Sequence, residues 1–249
     1  MKIFLTGRNL SGLRGKLAGA GLDVTDDPVS ADLIIPYGGD GAMLGAERAF
    51  PGRLKFPIRD EETAPLCAKH SIENQISALK NGTLNRTDLP LLEGSAHGKK
   101  LYAINDVFIH NQNYVSAMRY KVWINGESYG REIVGDGVGM STVHGSTAYY
   151  RSITHSVFRI GVGLAFSNST EVVNHLVLPE DSCVRILILR GPCEMVADNS
   201  PDRIELNAGD EGFISLSAKT SPMLGMDMFM CPDCQNLRHS LRHSADCRS

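Results

Sequence analysis

Hydrophobic positions in the first third of the chain fall in short, nearly continuous runs separated by stretches of helical spacing. Lys2 to Thr6 reads as a buried strand, and Gly12 to Gly21, with Leu13 and Leu17 one helical turn apart, reads as a helix. Asp32 to Pro36 is a second buried strand. A glycine-rich loop leads from it into a helix predicted over Ala42 to Phe50, which Pro51-Gly52 ends. Leu54 to Ile58 is a third strand, a helix follows around Ile72 to Leu79, and Asn81-Gly82 makes a turn. Strand alternating with helix predicts a parallel, Rossmann-like sheet, with ligands expected at the carboxyl ends of its strands.

From Lys99 the pattern changes to short strands bounded by Gly, Asn, Asp or Pro. Leu101 to Ile104, Val107 to Ile109, Tyr120 to Ile124, Tyr129 to Val134, Arg185 to Leu189, Arg203 to Leu206 and Phe213 to Ser217 all fit this description. They predict an antiparallel sandwich, with Asn125-Gly126 as a tight hairpin turn. A helix start is expected at Thr147 to Arg151, where Gly145, Ser146 and Thr147 would offer N–H groups and hydroxyls to a phosphate or ribose. Glu93 to Gly98 reads as a linker. The predicted organisation is an α/β lobe over 1–95, a β-rich lobe over 96–220, and a tail over 221–249 that packs back on the first lobe.

Composition narrows the function classes. The chain has 249 residues, 42% hydrophobic and 21% charged, which suits a globular enzyme and excludes a disordered or fibrous protein. A net charge of −3 provides no basic field for nucleic acid or for an anionic membrane. No run of 18 apolar residues occurs. The apolar start stops at Thr6-Gly7, as a strand does and a signal peptide does not, so a cytoplasmic protein is expected.

Candidate chemistry lies in three blocks. Gly38-Gly39-Asp40-Gly41 follows the apolar run Leu33-Ile34-Ile35 and sets one carboxylate among residues that let a ligand approach the backbone N–H groups. Asp40 could accept a hydroxyl proton or help to hold Mg²⁺; it could also merely cap the following helix. Asn105-Asp106 stands between two apolar runs and could equally be a bulge. Gly135 to Tyr149 reads GDGVGMSTVHGSTAY, combining a second glycine-flanked acid, Asp136, with hydroxyls and an aromatic ring.

In this order the blocks resemble the NAD kinase family, whose signatures are a GGDG(T) loop, an Asn-Glu pair and a GDG…STPTGSTAY segment. Ala42 stands where that pattern has Thr, Asp106 where it has Glu, Val143-His144 where it has Pro-Thr or Pro-Ser, and Val134 where relatives often carry Arg. The family's glycine-rich GxLGFL segment is replaced here by Phe56 to Leu66, reading FPIRDEETAPL.

The resemblance implies a kinase acting on NAD with ATP or polyphosphate as donor and Mg²⁺ or another divalent cation as cofactor. Asp40 would be the general base, with Gly38, Gly39 and Gly41 around the phosphate. Asn105, Asp106, Asp136, Ser141, His144, Thr147, Ala148 and Tyr149 would bind the dinucleotide, and a homodimer or homotetramer would be the working form. Two alternatives stand beside it: a non-catalytic dinucleotide-binding protein on the same fold, and a lipid or sphingoid kinase.

The cysteines raise a separate question. Cys67, Cys183 and Cys193 read as reduced, partly buried residues. Cys231-Pro232-Asp233-Cys234 followed by His239, His243 and Cys247 has zinc-ligand spacing. The histidines, however, fall beside Arg238 and Arg242 in an exposed helical pattern. The sequence reading is therefore a tail without metal.

Overall fold

A computed structural model of the chain describes residues 1–113 and 115–238. They form two compact units, one of residues 1–88 joined by the segment from Ser221 onward, the other of residues 89–220. Residues 89–95, assigned above to the first lobe, belong with the second.

In the first unit, β1 (Lys2–Gly7), α1 (Leu10–Gly19), β2 (Asp23–Thr25), β3 (Leu33–Tyr37), α2 (Asp40–Ala49) and α3 (Ile72–Lys80) follow in order. The sheet order is β2-β1-β3 with both pairings parallel. β3 is buried at every position, which is why it reads as one apolar run. The predicted strand at Leu54 to Ile58 extends this sheet by parallel bridges of Ile34 to Lys55 and Tyr37 to Ile58 rather than by a full ladder. Ile3, Leu5, Leu13, Leu17, Ile35, Phe56, Ile58, Ile72 and Ile76 share one core.

A buried ion pair sits at the far end of α2. Lys55 Nζ donates to Glu47 Oε2 at 2.5 Å and to the Arg53 carbonyl at 2.8 Å, and the lysine side chain is 0% exposed. Burial lowers the Lys55 pKa, and the Glu47 carboxylate opposes that shift. Glu47 also accepts from the Gly52 N–H at 3.0 Å and from the Ser221 hydroxyl.

The second unit is a sandwich of two sheets. Its strands are β4 (Arg86–Ala96, which begins in the first unit), β5 (Lys99–Ala103), β6 (Asp106–Asn111), β7 (Met118–Ile124), β8 (Glu127–Gly135) and β9 (Gly137–Ser141). The short helix α4 (Tyr149–Thr154) follows. Then come β10 (Val162–Ser167), β11 (His175–Leu178), β12 (Cys183–Arg190), β13 (Cys193–Ala197), β14 (Ile204–Leu206) and β15 (Glu211–Leu224), the last of which carries the chain back to the first unit. One sheet runs β11-β10-β9-β6-β13-β14 and the other β5-β4-β15-β12-β7-β8. Val107, Ile109, Val138, Met140, Leu164 and Met195 of the former meet Leu92, Tyr120, Val122, Ile133, Val184, Ile186 and Ile214 of the latter in a common core.

Asn125 and Gly126, at φ 52° and 85°, make the expected turn joining β7 to β8. The predicted linker is a correction: Glu93 to Ala96 is the end of β4, with Glu93 opposite Tyr102 and Ala96 opposite Lys99, and only His97-Gly98 turns. Its small residues signalled flexibility in the sequence, yet they fill a half-buried strand.

The chain re-enters the first unit through α5 (Met226–Phe229), and residues 232–238 are helical. Among the described residues no helix is long and apolar enough to cross a membrane.

Glu47→Ala should leave the Lys55 ammonium buried without its carboxylate and destabilise the protein by about 3–5 kcal/mol in urea unfolding. The double variant Glu47→Leu/Lys55→Met should regain most of that loss. A Glu47→Ala midpoint equal to wild type would show that the pair carries no weight.

Candidate active site

The acid of the glycine-rich loop is positioned by the start of α2. Gly39 is the N-cap residue, no side chain caps the helix, and Asp40 occupies its first turn. The capping alternative for Asp40 is therefore not what the structure contains. Its carboxylate is 58% exposed and accepts from the Arg59 guanidinium at 3.1 Å through Oδ1, which leaves Oδ2 as the second oxygen for a hydroxyl.

Arg59 itself is 7% exposed. Its Nε donates to the Phe229 carbonyl at 3.0 Å, and its guanidinium lies 3.9 Å from the centre of the Phe229 ring. This residue sits in the middle of Phe56 to Leu66, the segment that departs from the family pattern, and nothing local in the sequence marked it. Asp60 next to it is buried. It accepts from Asn9 Nδ2 at 3.0 Å and from the Glu62 N–H at 3.1 Å, so the loop that follows Arg59 is fixed rather than open.

In the second unit the Asn105-Asp106 corner is clamped from two sides. The Asp198 carboxylate accepts from the N–H groups of Ile104, Asn105 and Asp106 at 2.8, 2.8 and 3.2 Å. From the other side Thr142 Oγ1 donates to the Ile104 carbonyl at 2.6 Å, and Ser141 Oγ donates to the Asn105 carbonyl at 3.1 Å. Gly145 lies against the same carbonyl. A Cβ at that position would come within 2.2 Å of the Asn105 oxygen, so only glycine fits.

Held in this way, Asn105 keeps a buried Oδ1 that has no hydrogen-bond partner among the described residues. Such an atom is costly unless a ligand donates to it. Beside it, burial raises the Asp106 pKa to about 7, with the negative charge of Asp198 adding to the effect.

A second group surrounds Asp136. Its carboxylate accepts from Asn168 Nδ2 at 3.0 Å. His110 stacks on Phe108 at 5.5 Å, and the exposed ring of Tyr149 stands edge-on to Phe108 at 4.9 Å and 5.5 Å from His110. Burial lowers the His110 pKa against the opposing pull of Glu194 and Asp136. Tyr150 is buried against Phe158, which anchors α4 and leaves its neighbour Tyr149 at the surface.

Several expectations change here. Ser141, expected to line the pocket, is 0% exposed, and its hydroxyl supports the Asn105 backbone from behind. Ser146 is likewise buried and donates to the carbonyls of Val143 and Phe158, while the Gly145 N–H donates to Thr142 Oγ1. These groups close the 3₁₀ turn Gly145–Thr147 and are not displayed to a ligand at a helix end.

His144 is half-buried ahead of that turn, Thr147 is exposed with its hydroxyl 3.4 Å from the His144 carbonyl, and the Ala148 N–H donates to Gly145 O at 2.8 Å. Gly38 and Gly41 flank Gly39 and Asp40 at the start of α2, and the Ala42 Cβ faces Gly38. Asp198, Arg59 and His110 were missed by the sequence reading; the turn composition of Asp198-Asn199-Ser200-Pro201 was the one available hint.

Of the considered zinc ligands, His239, His243 and Cys247 lie outside the described residues. Cys231 and Cys234 have Cys67 and His70 as neighbours.

No family model matches the chain. A curated NAD kinase from Brucella melitensis is 30% identical over 183 residues, covering 68% of this chain and 71% of the relative. Another curated NAD kinase, from Rhizobium meliloti, is 32% identical over 128 residues, which is 49% of each chain. Among solved structures, an NAD kinase from Archaeoglobus fulgidus in complex with ATP aligns at a TM-score of 0.74 and 15% identity, over 97% of this chain and 99% of that one. Yeast NADH kinase complexed with NADH aligns at a TM-score of 0.76 and 17% identity, over 90% and 83%. At these identities the structural likeness establishes the fold.

The Asp106 pKa sets a testable pH dependence. The native carboxyl holds its proton up to about pH 7, whereas the unfolded one, with an ordinary value of 3.8, loses it earlier. Its contribution to stability is therefore full below about pH 4 and is lost as pH rises to about 7. Asp106→Asn should gain on wild type steadily across that window in urea titrations and level off above it. A pH-independent difference between the two would refute the shift.

Proposed function

The chain belongs to the NAD kinase family, and from that premise we propose that it transfers a phosphoryl group from ATP, or another polyphosphate donor, to the 2′-hydroxyl of the adenosine ribose of NAD, giving NADP. The observation that carries this reading is Asp40, whose exposed carboxylate opens α2, caps nothing and is oriented by a buried arginine.

In this mechanism Asp40 accepts the proton of the attacking hydroxyl. Gly38, Gly39 and Gly41, which carry no side chains to block approach, would surround the transferring phosphate at the start of α2. Phosphoryl transfer asks for positioning and charge stabilisation more than for covalent chemistry, and the Arg59 guanidinium adds a fixed positive charge beside Asp40.

Asp40, with an exposed carboxylate whose Oδ2 is not engaged by Arg59, would hold Mg²⁺ together with the donor phosphates, since that ion is commonly held by one or two carboxylates and substrate oxygens. Bound there, the ion would neutralise charge on the donor.

The second unit supplies dinucleotide contacts. Asn105 Oδ1, buried and unpartnered, is suited to accept from a ribose hydroxyl or a base amine. Asp106 is the neighbouring acceptor, while Asp136 and the face of Tyr149 are assigned to the nicotinamide end. His144, Thr147 and Ala148 border the same turn. The working protein is proposed to be a cytoplasmic homodimer or homotetramer. Supporting self-association, Val172, Val173 and Val177 are exposed in and just before β11, an edge strand, and Val157 and Ile160 are exposed in the segment before β10, the strand that pairs with it. Light scattering behind a sizing column reads the oligomeric state.

Coupling product to an NADP-specific dehydrogenase should reveal NADP from NAD, Mg²⁺ and ATP or polyphosphate. Asp40→Asn should lower turnover by about 10²–10⁴ with little change in NAD affinity. Asp136→Ala should instead weaken NAD binding by calorimetry. NAD bound tightly with no NADP from any donor would leave a dinucleotide-binding protein and sink the kinase reading.

Ala42→Thr, which places a hydroxyl beside Gly38, should raise turnover by a factor of about two to thirteen, the equivalent of one neutral hydrogen bond of about 0.5–1.5 kcal/mol. No gain, or a loss, would show that this hydroxyl makes no contact in the transition state.

A further inference from the structure

The first unit holds a ligand cluster that the phosphoryl-transfer reading does not use. Cys67, His70, Cys231 and Cys234 place three Sγ atoms and one imidazole nitrogen all within 4.8 Å of one another. The three cysteines are free, and Cys231 and Cys234 are 5% and 0% exposed. His70 Nδ1 lies 3.4 Å from Cys67 Sγ and 3.9 Å from Cys234 Sγ. A tetrahedral zinc with Zn–S of about 2.3 Å and Zn–N of about 2.0–2.1 Å requires ligand-to-ligand edges of about 3.5–3.8 Å, close to these separations.

Each pair is also preformed by its own turn. The His70 N–H donates to the Cys67 carbonyl at 2.9 Å, and the Gln235 N–H donates to the Cys231 carbonyl at 3.0 Å, so C-x-x-H and C-x-x-C are both folded back on themselves. The Cys67 N–H donates to Cys234 Sγ at 3.2 Å, which ties the two turns to each other.

We propose that Cys67, His70, Cys231 and Cys234 bind one structural Zn²⁺ that staples the loop after Arg59 to the chain's C-terminal segment. Three soft thiolates with one imidazole in a closed tetrahedron is a zinc set, and it leaves no open position for catalysis. The staple has a consequence for the loop at Asp40. Cys231 lies two residues beyond Phe229, whose carbonyl and ring hold Arg59, and Arg59 holds Asp40. The sequence pairs Cys231-Cys234 with the tail's own histidines. The structure supplies the other half of the set from a loop more than 160 residues earlier, as the separation of 164 between His70 and Cys234 records.

The test uses the full chain purified without a histidine tag. Elemental analysis should give close to one zinc per chain. Replacement by Co²⁺ should produce the intense visible bands of a tetrahedral site and a thiolate charge-transfer band in the near ultraviolet. His70→Cys should keep the metal and strengthen that charge-transfer band, whereas Cys67→Ser and Cys234→Ser should lose it. A triple variant at His239, His243 and Cys247 should bind as wild type does.

If the serine variants fail to fold, the wild-type metal content and the His70→Cys spectrum still decide. Four outcomes each overturn the proposal: a wild-type chain that takes up no zinc when refolded with an equivalent of it, a disulfide among these cysteines in the native protein, iron in place of zinc, or a metal lost by the triple tail variant but kept by Cys67→Ser.

Discussion

The arrangement of the first unit depends on burying one lysine. Lys55 has no solvent exposure, so its ammonium persists only where a carboxylate and further acceptors surround it, and Glu47 and the Arg53 carbonyl meet that demand. Glu47 belongs to α2, Lys55 to the segment running beside β3, and Ser221, which also donates to Glu47, is where the chain re-enters the unit. Three stretches remote in sequence are thereby held in one register. Sliding any of them by a residue strands a buried charge, which makes the pair a constraint on arrangement more than a source of net stability. Asp40 lies seven residues before Glu47, close to two helical turns, so fixing one end of α2 fixes the azimuth at which the other presents its carboxylate.

The second unit applies the same logic to a corner instead of a helix. A loop carrying ligand contacts gains affinity when its backbone is ordered in advance. Here three successive N–H groups are taken by Asp198, and the carbonyls on the opposite side by Thr142 and Ser141. The clamp has an electrostatic side effect: the carboxylate that gathers the amides also bears on Asp106, adding to the burial that raises its pKa. The residues that look most like ligand contacts in the sequence are in part the supports of that clamp.

How much of this was legible follows from what each signal measures. The β-α-β order and the helix spacing at Leu13 and Leu17 were readable because burial on both faces leaves continuous apolar runs, and the Asn125-Gly126 turn because its backbone demands those residue types. β9 was not readable. It is a fully buried central strand spelled Gly-Val-Gly-Met-Ser, and its glycines look like loop although Gly139 is required by the approach of Val107 O, within 2.3 Å of where a Cβ would stand. Asp40 and the Asn105-Asp106 pair were found because a motif marks them. Arg59, Asp198 and His110 were not, because they act on partners brought close only by the fold. Ser141 was found with the wrong role, since a motif carries the identity of a hydroxyl and not the direction in which it points.

The replaced segment Phe56 to Leu66 looked in the sequence like a loss, and its physics gives it content. A glycine-rich, apolar stretch leaves backbone open to a ligand. This chain instead places a guanidinium that is almost fully buried, and such a charge needs acceptors on more than one side. Asp40 and the Phe229 carbonyl are those acceptors, with the Phe229 ring covering one face. The consequence is mutual. Arg59 depends on the C-terminal segment for its place, and the orientation of the Asp40 carboxylate depends on Arg59. On the kinase reading proposed above, a residue essential to proton transfer is therefore oriented by a part of the chain nearly two hundred residues away, and whatever holds Phe229 in place also holds the geometry at Asp40.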